Sequence, residues 1–181
     1  LEAVGFALSW ERDEKLEALA DETIDLIGRA QQPDGYLNTY FTIKEPGLRW
    51  TNLMEGHELY TAGHMIEAAV AYYEATGKKK FLDIVSRFAD LICDTFGAEE
   101  GKIHGYPGHQ EIELALVKLY RVTGTRKYLE LAKYFIDARG EGENYFLNEE
   151  KKPAFKRIFP DFHDYNPAYS QSHQPVRKQK T

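Results

Sequence analysis

Three short runs in this 181-residue chain carry side chains able to recognise a polar small molecule. The first is Trp50-Thr51-Asn52-Leu53-Met54-Glu55-Gly56-His57-Glu58, followed by Tyr60, Thr61 and His64. Its apolar spacing predicts a helix that opens after Gly56, with His57 and Glu58 in the first turn. The positive end of a helix dipole opposes protonation of an imidazole, so His57 is expected to act as a neutral partner for hydroxyl groups. A zinc-protease helix would need a second histidine at position 61, where Thr61 stands. His64, on the same face two turns on, reads as a core or interhelical histidine.

The second run is His104-Gly105-Tyr106-Pro107-Gly108-His109-Gln110-Glu111. His109 again follows a glycine and is expected to open a helix. Ser, Thr, Asp and Asn are the usual helix caps, so two histidines at equivalent starts point to one shared cavity more than to capping. Trp50 and Tyr106 are the aromatic side chains expected to line that cavity with His57 and His109. Glu111 and Glu113 read as first-turn charges favoured by the dipole. In the third run, Gln31-Gln32-Pro33-Asp34-Gly35-Tyr36-Leu37, the Asp34-Gly35 turn beside Tyr36 suits a carbohydrate's hydroxyls and C–H faces, or simply ends a helix. Cys93, the single cysteine, reads as a small buried hydrophobe, and it rules out both a disulfide framework and a cysteine-only metal site within the chain. For His163 and His173 the local sequence offers no discriminating context.

The elements that must position these residues are helices. Phe81, Val85, Phe88, Ile92 and Phe96 form one stripe, and Ile112, Leu116, Leu119 and Tyr120 form another, as do Tyr128, Leu131, Ala132 and Phe135. Gly124 aligned on Gly77 exposes a repeat with an offset of 47 residues, which pairs Tyr73 with Tyr120, Thr76 with Thr123, Lys80 with Lys127 and Phe81 with Tyr128. A unit of that length is a helical hairpin that must stack to bury its face. Antiparallel helices are expected near 56–76, 78–96, 108–123 and 125–139. Ala3–Trp10 is also helical in pattern, and Leu16, Leu19, Thr23, Leu26 and Ala30 are expected to form the inward stripe of an earlier helix. The proline-bearing stretch 138–170 reads as an ordered excursion or lid over the core.

Composition narrows the function. Twenty-three basic against 29 acidic residues give a net charge of −6, which leaves no basic field for nucleic acid. Nor is there a run of roughly 18 apolar residues that would span a membrane. The chain opens on Leu1 within a helical pattern and closes on a polar stretch, so it is expected to be a segment of a longer domain, cut at the C-terminal side and at the N-terminal side. An incomplete ring of hairpins would expose apolar faces and favour self-association.

The runs from His57 to Ala71, from Gly105 to Leu116 and from Ser172 to Arg177 resemble the β-L-arabinofuranosidase family, glycoside hydrolase family 127. Thr61 and Gln110 stand where many relatives carry Cys and Pro. The resemblance implies an all-α fold, helical hairpins forming part of an (α/α)6 toroid, and a central cavity for a terminal arabinofuranosyl unit contacted by His57 and His109. It implies zinc in the intact parent, bound by cysteines and a glutamate lying C-terminal to this stretch together with the acid/base glutamate. No catalytic residue and no zinc ligand is therefore expected in the segment, and Cys93 matches none of them. Two alternatives stay open: another carbohydrate-active (α/α)6 enzyme, such as an isomerase or unsaturated uronyl hydrolase, and a non-catalytic helical-repeat binding module.

Overall fold

The computed structural model describes residues 1–158. Seven α-helices follow one another there: α1 Glu2–Trp10, α2 Glu14–Ala30, α3 Glu58–Thr76, α4 Lys80–Thr95, α5 Ile112–Thr123, α6 Arg126–Gly140 and the single turn α7 Tyr145–Glu149. The described residues contain no strand, only an isolated bridge between Phe96 and Ile103. The all-α hairpin architecture expected from the periodicity holds. It is that of a segment of an (α/α)6 barrel.

The hairpins α3/α4 and α5/α6 are built alike, as the repeat requires. Gly77 and Gly124 both adopt the left-handed conformation (φ 72° and 71°), and their N–H groups cap the carbonyls of Tyr73 and Tyr120. A side chain at either position would carry a Cβ into a conformation that costs about 1 kcal/mol. The threonine before each glycine bonds back one turn, Thr76 to Tyr72 and Thr123 to Leu119. Helices α1, α3 and α5 pack side by side, with α2, α4 and α6 outside them. The α4 stripe is essentially inaccessible, from Phe81 at 1% to Ile92 at 0%.

Two boundaries and one stripe differ from expectation. Helix α3 opens at Glu58 and α5 at Ile112, not at 56 and 108, because backbone turns occupy the residues before each. On α2 the expected stripe is wrong: Leu19 and Leu26 are exposed, while Ala20 and Ile24 are buried. The Ala20/Ile24 face is the one turned to the core, and near Gly28 the approach to α4 is close: a Cβ there would come within 2.9 Å of the Ile84 side chain. The long connection 31–55 contains a π-helical turn, Tyr40–Lys44. Of the 138–170 excursion the structure describes the part up to 158, including α7; Pro160, Pro167, His163, His173 and the 172–177 run lie outside the described residues.

Apolar side chains also remain on the surface. Phe6 and Trp10 lie one turn apart on α1 and are 59% and 92% exposed, and Leu114 on α5 is exposed as well. Exposed apolar side chains of this kind favour association. The chain is expected to self-associate, and Phe6→Asp with Trp10→Asp to lower its mass in light scattering. A monodisperse monomer in the unsubstituted chain would contradict this.

Candidate functional site

The two histidine-bearing loops converge. His57 and His109 stack with ring centroids 5.0 Å apart and an interplanar angle of 25°, and their Nε2 atoms are 3.1 Å apart. His57 is the N-cap of α3 and not a first-turn residue, and it takes a left-handed conformation at φ 55°. That region is unusual for a non-glycine residue and costs on the order of 1 kcal/mol unless the surroundings hold it. Here the imidazole turns back, with Nδ1 2.5 Å from the Glu55 carbonyl oxygen. A carbonyl only accepts, so Nδ1 carries the hydrogen. In the neutral ring Nε2 is then the acceptor, and His109 Nε2 donates to it. His109 sits in the turn before α5, three residues ahead of Ile112.

Tyr60, one turn into α3, frames the pair. Its ring lies 5.7 Å from His57, 5.2 Å from His109 and 4.5 Å from His64. Sequence reasoning passed over Tyr60, although its spacing of three from His57 places both on one helix face. Trp50 and Tyr106, expected beside the histidines, are placed differently. Trp50 packs edge-on against Tyr36 and Phe96, each at 5.3 Å. Tyr106 is 2% exposed, against Phe146 at 5.0 Å and under the Arg139 guanidinium at 4.8 Å. Both brace the loops from within the core, because the aromatic clusters beneath the loops take these rings. Tyr36, from the third run, is fully buried and likewise structural.

Buried carboxylates fasten the loop that ends in His57. Glu58 accepts from the Tyr36 hydroxyl and, at 2.8 Å, from the Trp50 N–H. Glu55 accepts from Asn52 Nδ2 at 3.1 Å and from the Ile158 N–H at 2.8 Å. Glu149 accepts from the Leu53 and Met54 N–H groups at 2.8 and 3.2 Å. Burial pushes the Glu58 and Glu149 carboxyls up to about 7, against the pull of these donors. Their protonated forms are thus favoured by folding, and the stability they contribute is present below the ordinary carboxylate pKa and lost as pH rises through about 7. The chain is expected to melt several degrees higher at pH 5 than at pH 8. A flat or rising profile of Tm between those values would contradict the burial account.

An open cavity of about 620 Å³ has His57 on its wall, with Leu37, Tyr40, Thr61, Met65 and Ile158, while His109 and Tyr60 are not among its lining residues. Such a volume is in the range of small-molecule sites. Deeper along α3, ligand atoms of His64, Glu67 and Glu111 lie within 4.8 Å of one another. His64 Nδ1 is 3.2 Å from Glu111 Oε1, and the Lys118 ammonium bonds Glu67, so a protein cation already serves this cluster. Glu111 is therefore part of an interhelical network, not a plain first-turn charge, and Glu113 is buried opposite Arg139. Cys93 is buried, its Sγ 3.8 Å from the Lys127 carbonyl, and burial pushes its thiol up to about 12. That environment does not fit a zinc thiolate, which must be deprotonated.

Comparison with known proteins places this geometry. The sequence profile of the β-L-arabinofuranosidase, glycoside hydrolase family 127 catalytic domain matches residues 1–181. The chain belongs to that family. It is 46% identical over 186 residues to a non-reducing end β-L-arabinofuranosidase of Bifidobacterium longum, covering 100% of this chain and 28% of that protein. A family 127 β-L-arabinofuranosidase structure from Geobacillus stearothermophilus T6 matches with 59% identity and a TM-score of 0.87, over 99% of this chain and 28% of that one. A second family 127 structure, a β-arabinofuranosidase, gives 39% identity and a TM-score of 0.75 over 97% and 26% of the two chains. The chain thus spans about a quarter of the length of these family 127 relatives.

Proposed function

We propose that this chain supplies part of the sugar-binding cavity of a glycoside hydrolase acting on terminal β-L-arabinofuranosyl units. The observation that carries the reading is the stacked His57–His109 pair, with His57 on the wall of an open cavity, in a chain whose relatives are β-L-arabinofuranosidases. A furanose offers hydroxyls that both donate and accept. The imidazole pair can match this when a sugar hydroxyl takes the place of the Nε2–Nε2 bond, His57 Nε2 then accepting from the hydroxyl and His109 Nε2–H donating to it. Tyr60 offers an aromatic edge or face to the sugar's C–H groups. These groups bind and orient the sugar. Bond cleavage needs a nucleophile and a proton donor, and neither is assigned to residues of this chain.

Zinc, which the family resemblance implies for the intact protein, would hold a cysteine side chain as its thiolate. The one cysteine here is buried, with its thiol pushed up to about 12, and does not fit that role. The partner is a glycan carrying arabinofuranosyl ends. The acidic balance argues against nucleic acid, and no helix among the described residues is long and apolar enough to cross a membrane.

The test is a glycoside panel with the whole protein carrying this chain. Release of the aryl group from an aryl β-L-arabinofuranoside, with little from an unsaturated uronide, supports the reading. Turnover of the uronide alone would favour another (α/α)6 enzyme, and sugar binding without any turnover a binding module.

A further inference from the structure

We propose that Glu149 is a positioning residue for the His57–His109 pair, holding the two histidine loops in register; the inference rests on reading that pair as the sugar site.

Glu149 ends α7, 95 residues along the chain from Met54, and is 1% exposed. Its two carboxylate oxygens are divided between two successive backbone donors, Oε1 to the Leu53 N–H and Oε2 to the Met54 N–H. A buried carboxylate is a costly anchor, which succeeds only where donors converge on it, as these do. The same two residues meet the second histidine loop. The Leu53 carbonyl accepts from the Gly108 N–H at 3.1 Å, and a Cβ built on Gly108 would lie 2.4 Å from the Met54 carbonyl oxygen. The two backbones therefore touch with no side chain between them. His57 follows Met54 by three residues, and His109 is next to Gly108. The register at this junction fixes where the two imidazoles sit.

Glu149 is itself tied to the second loop. The Tyr145 N–H, at the start of α7, donates to the Tyr106 hydroxyl at 3.2 Å, and Phe146 packs on the Tyr106 ring at 5.0 Å. A Cβ on Gly105 would strike the Tyr145 ring at 2.7 Å, so α7 rests directly on the 105–108 backbone. Being seated on one histidine loop and bonded to the other, the carboxylate sets the spacing between them. The described part of the 138–170 excursion is thus packed on both histidine loops, and its Ile158 lies on the cavity wall.

The experiment uses the whole protein carrying this chain, labelled with ¹⁵N-histidine, and long-range ¹H–¹⁵N spectra of the imidazoles. His57 should show the Nδ1–H tautomer that the Glu55 carbonyl requires. In Glu149→Gln, whose amide cannot accept at both oxygens' positions, the His57 and His109 signals should both move and the tautomer signature should be lost, while His104 stays in place. Leu82→Ala, a core truncation on α4, serves as a control for destabilisation alone and should leave both imidazoles where they are. The proposal is overturned if Glu149→Gln, folded by circular dichroism, moves the pair no more than Leu82→Ala does. If Glu149→Gln does not fold, Glu149→Asp is read in its place; loss of folding in both would make the carboxylate a folding element and end the proposal. Titration with L-arabinose reads the sugar site separately. No response to arabinose, together with displaced imidazoles in Glu149→Gln, would sink the sugar reading and leave the positioning role standing.

Discussion

Replacing either histidine of the pair in the whole protein is expected to lower kcat/KM for a β-L-arabinofuranoside by about fivefold. A hydrogen bond to a neutral partner contributes about 1 kcal/mol, and 1.4 kcal/mol is a factor of ten in rate. Because the two rings also bond each other through Nε2 at 3.1 Å, the effects should not be additive. His57→Ala with His109→Ala should lose less than the product of the two single losses. Melting temperatures should change little at His109. At His57 the left-handed backbone (φ 55°) complicates the comparison, so His57→Asn, which tolerates that conformation, is the cleaner variant. A histidine whose removal collapses the fold while sparing turnover in the folded remainder has a structural role, and its assignment to the site is then wrong.

A second large effect is expected at Arg139, which sequence reasoning did not single out. Its side chain is 3% exposed, donates to the Pro107 carbonyl, lies over the Tyr106 ring and faces the buried Glu113 carboxylate at 3.9 Å. Burial pushes Arg139 down and Glu113 up, and each charge partly offsets the cost of burying the other. Arg139→Ala should cost about 3 kcal/mol or more, because it leaves Glu113 buried and uncompensated and empties the space against Tyr106. Arg139→Ala together with Glu113→Ala should cost less than Arg139→Ala alone if the stranded charge is the main penalty. Denaturant unfolding of the four members of this cycle measures it. An additive cycle would assign the loss to packing instead.

The helices were legible because their signals are local. The 3.6-residue stripe on α4 and the left-handed glycines Gly77 and Gly124 each act within a turn or two of chain, and the structure uses both as read. On α2 the same reasoning chose Leu19 and Leu26, since a leucine stripe outweighs Ala20 and Gly28 in any hydropathy pattern. Which face α2 turns inward, with Ile24 buried and Gly28 close against Ile84 of α4, is set by a distant segment. The site divides the same way. His57 and His109 could be paired from equivalent positions in two hairpins, but Trp50 and Tyr106 could not be oriented. Whether an aromatic ring in a loop faces the cavity or the core depends on Phe96, Phe146 and Arg139, which lie far along the chain. Tyr60 was within reach, one turn from His57 on the same helix. Glu149 carried no signal, because two backbone N–H groups 95 and 96 residues away leave no mark on the sequence around it.

The most direct measurement of the central claim is a crystal structure of the whole protein with L-arabinose bound. The account predicts a furanose in the cavity beside α3, with at least one hydroxyl within hydrogen-bond distance of His57 or His109 and the Tyr60 ring alongside. A sugar seated elsewhere, with neither imidazole in contact with it, would contradict the account.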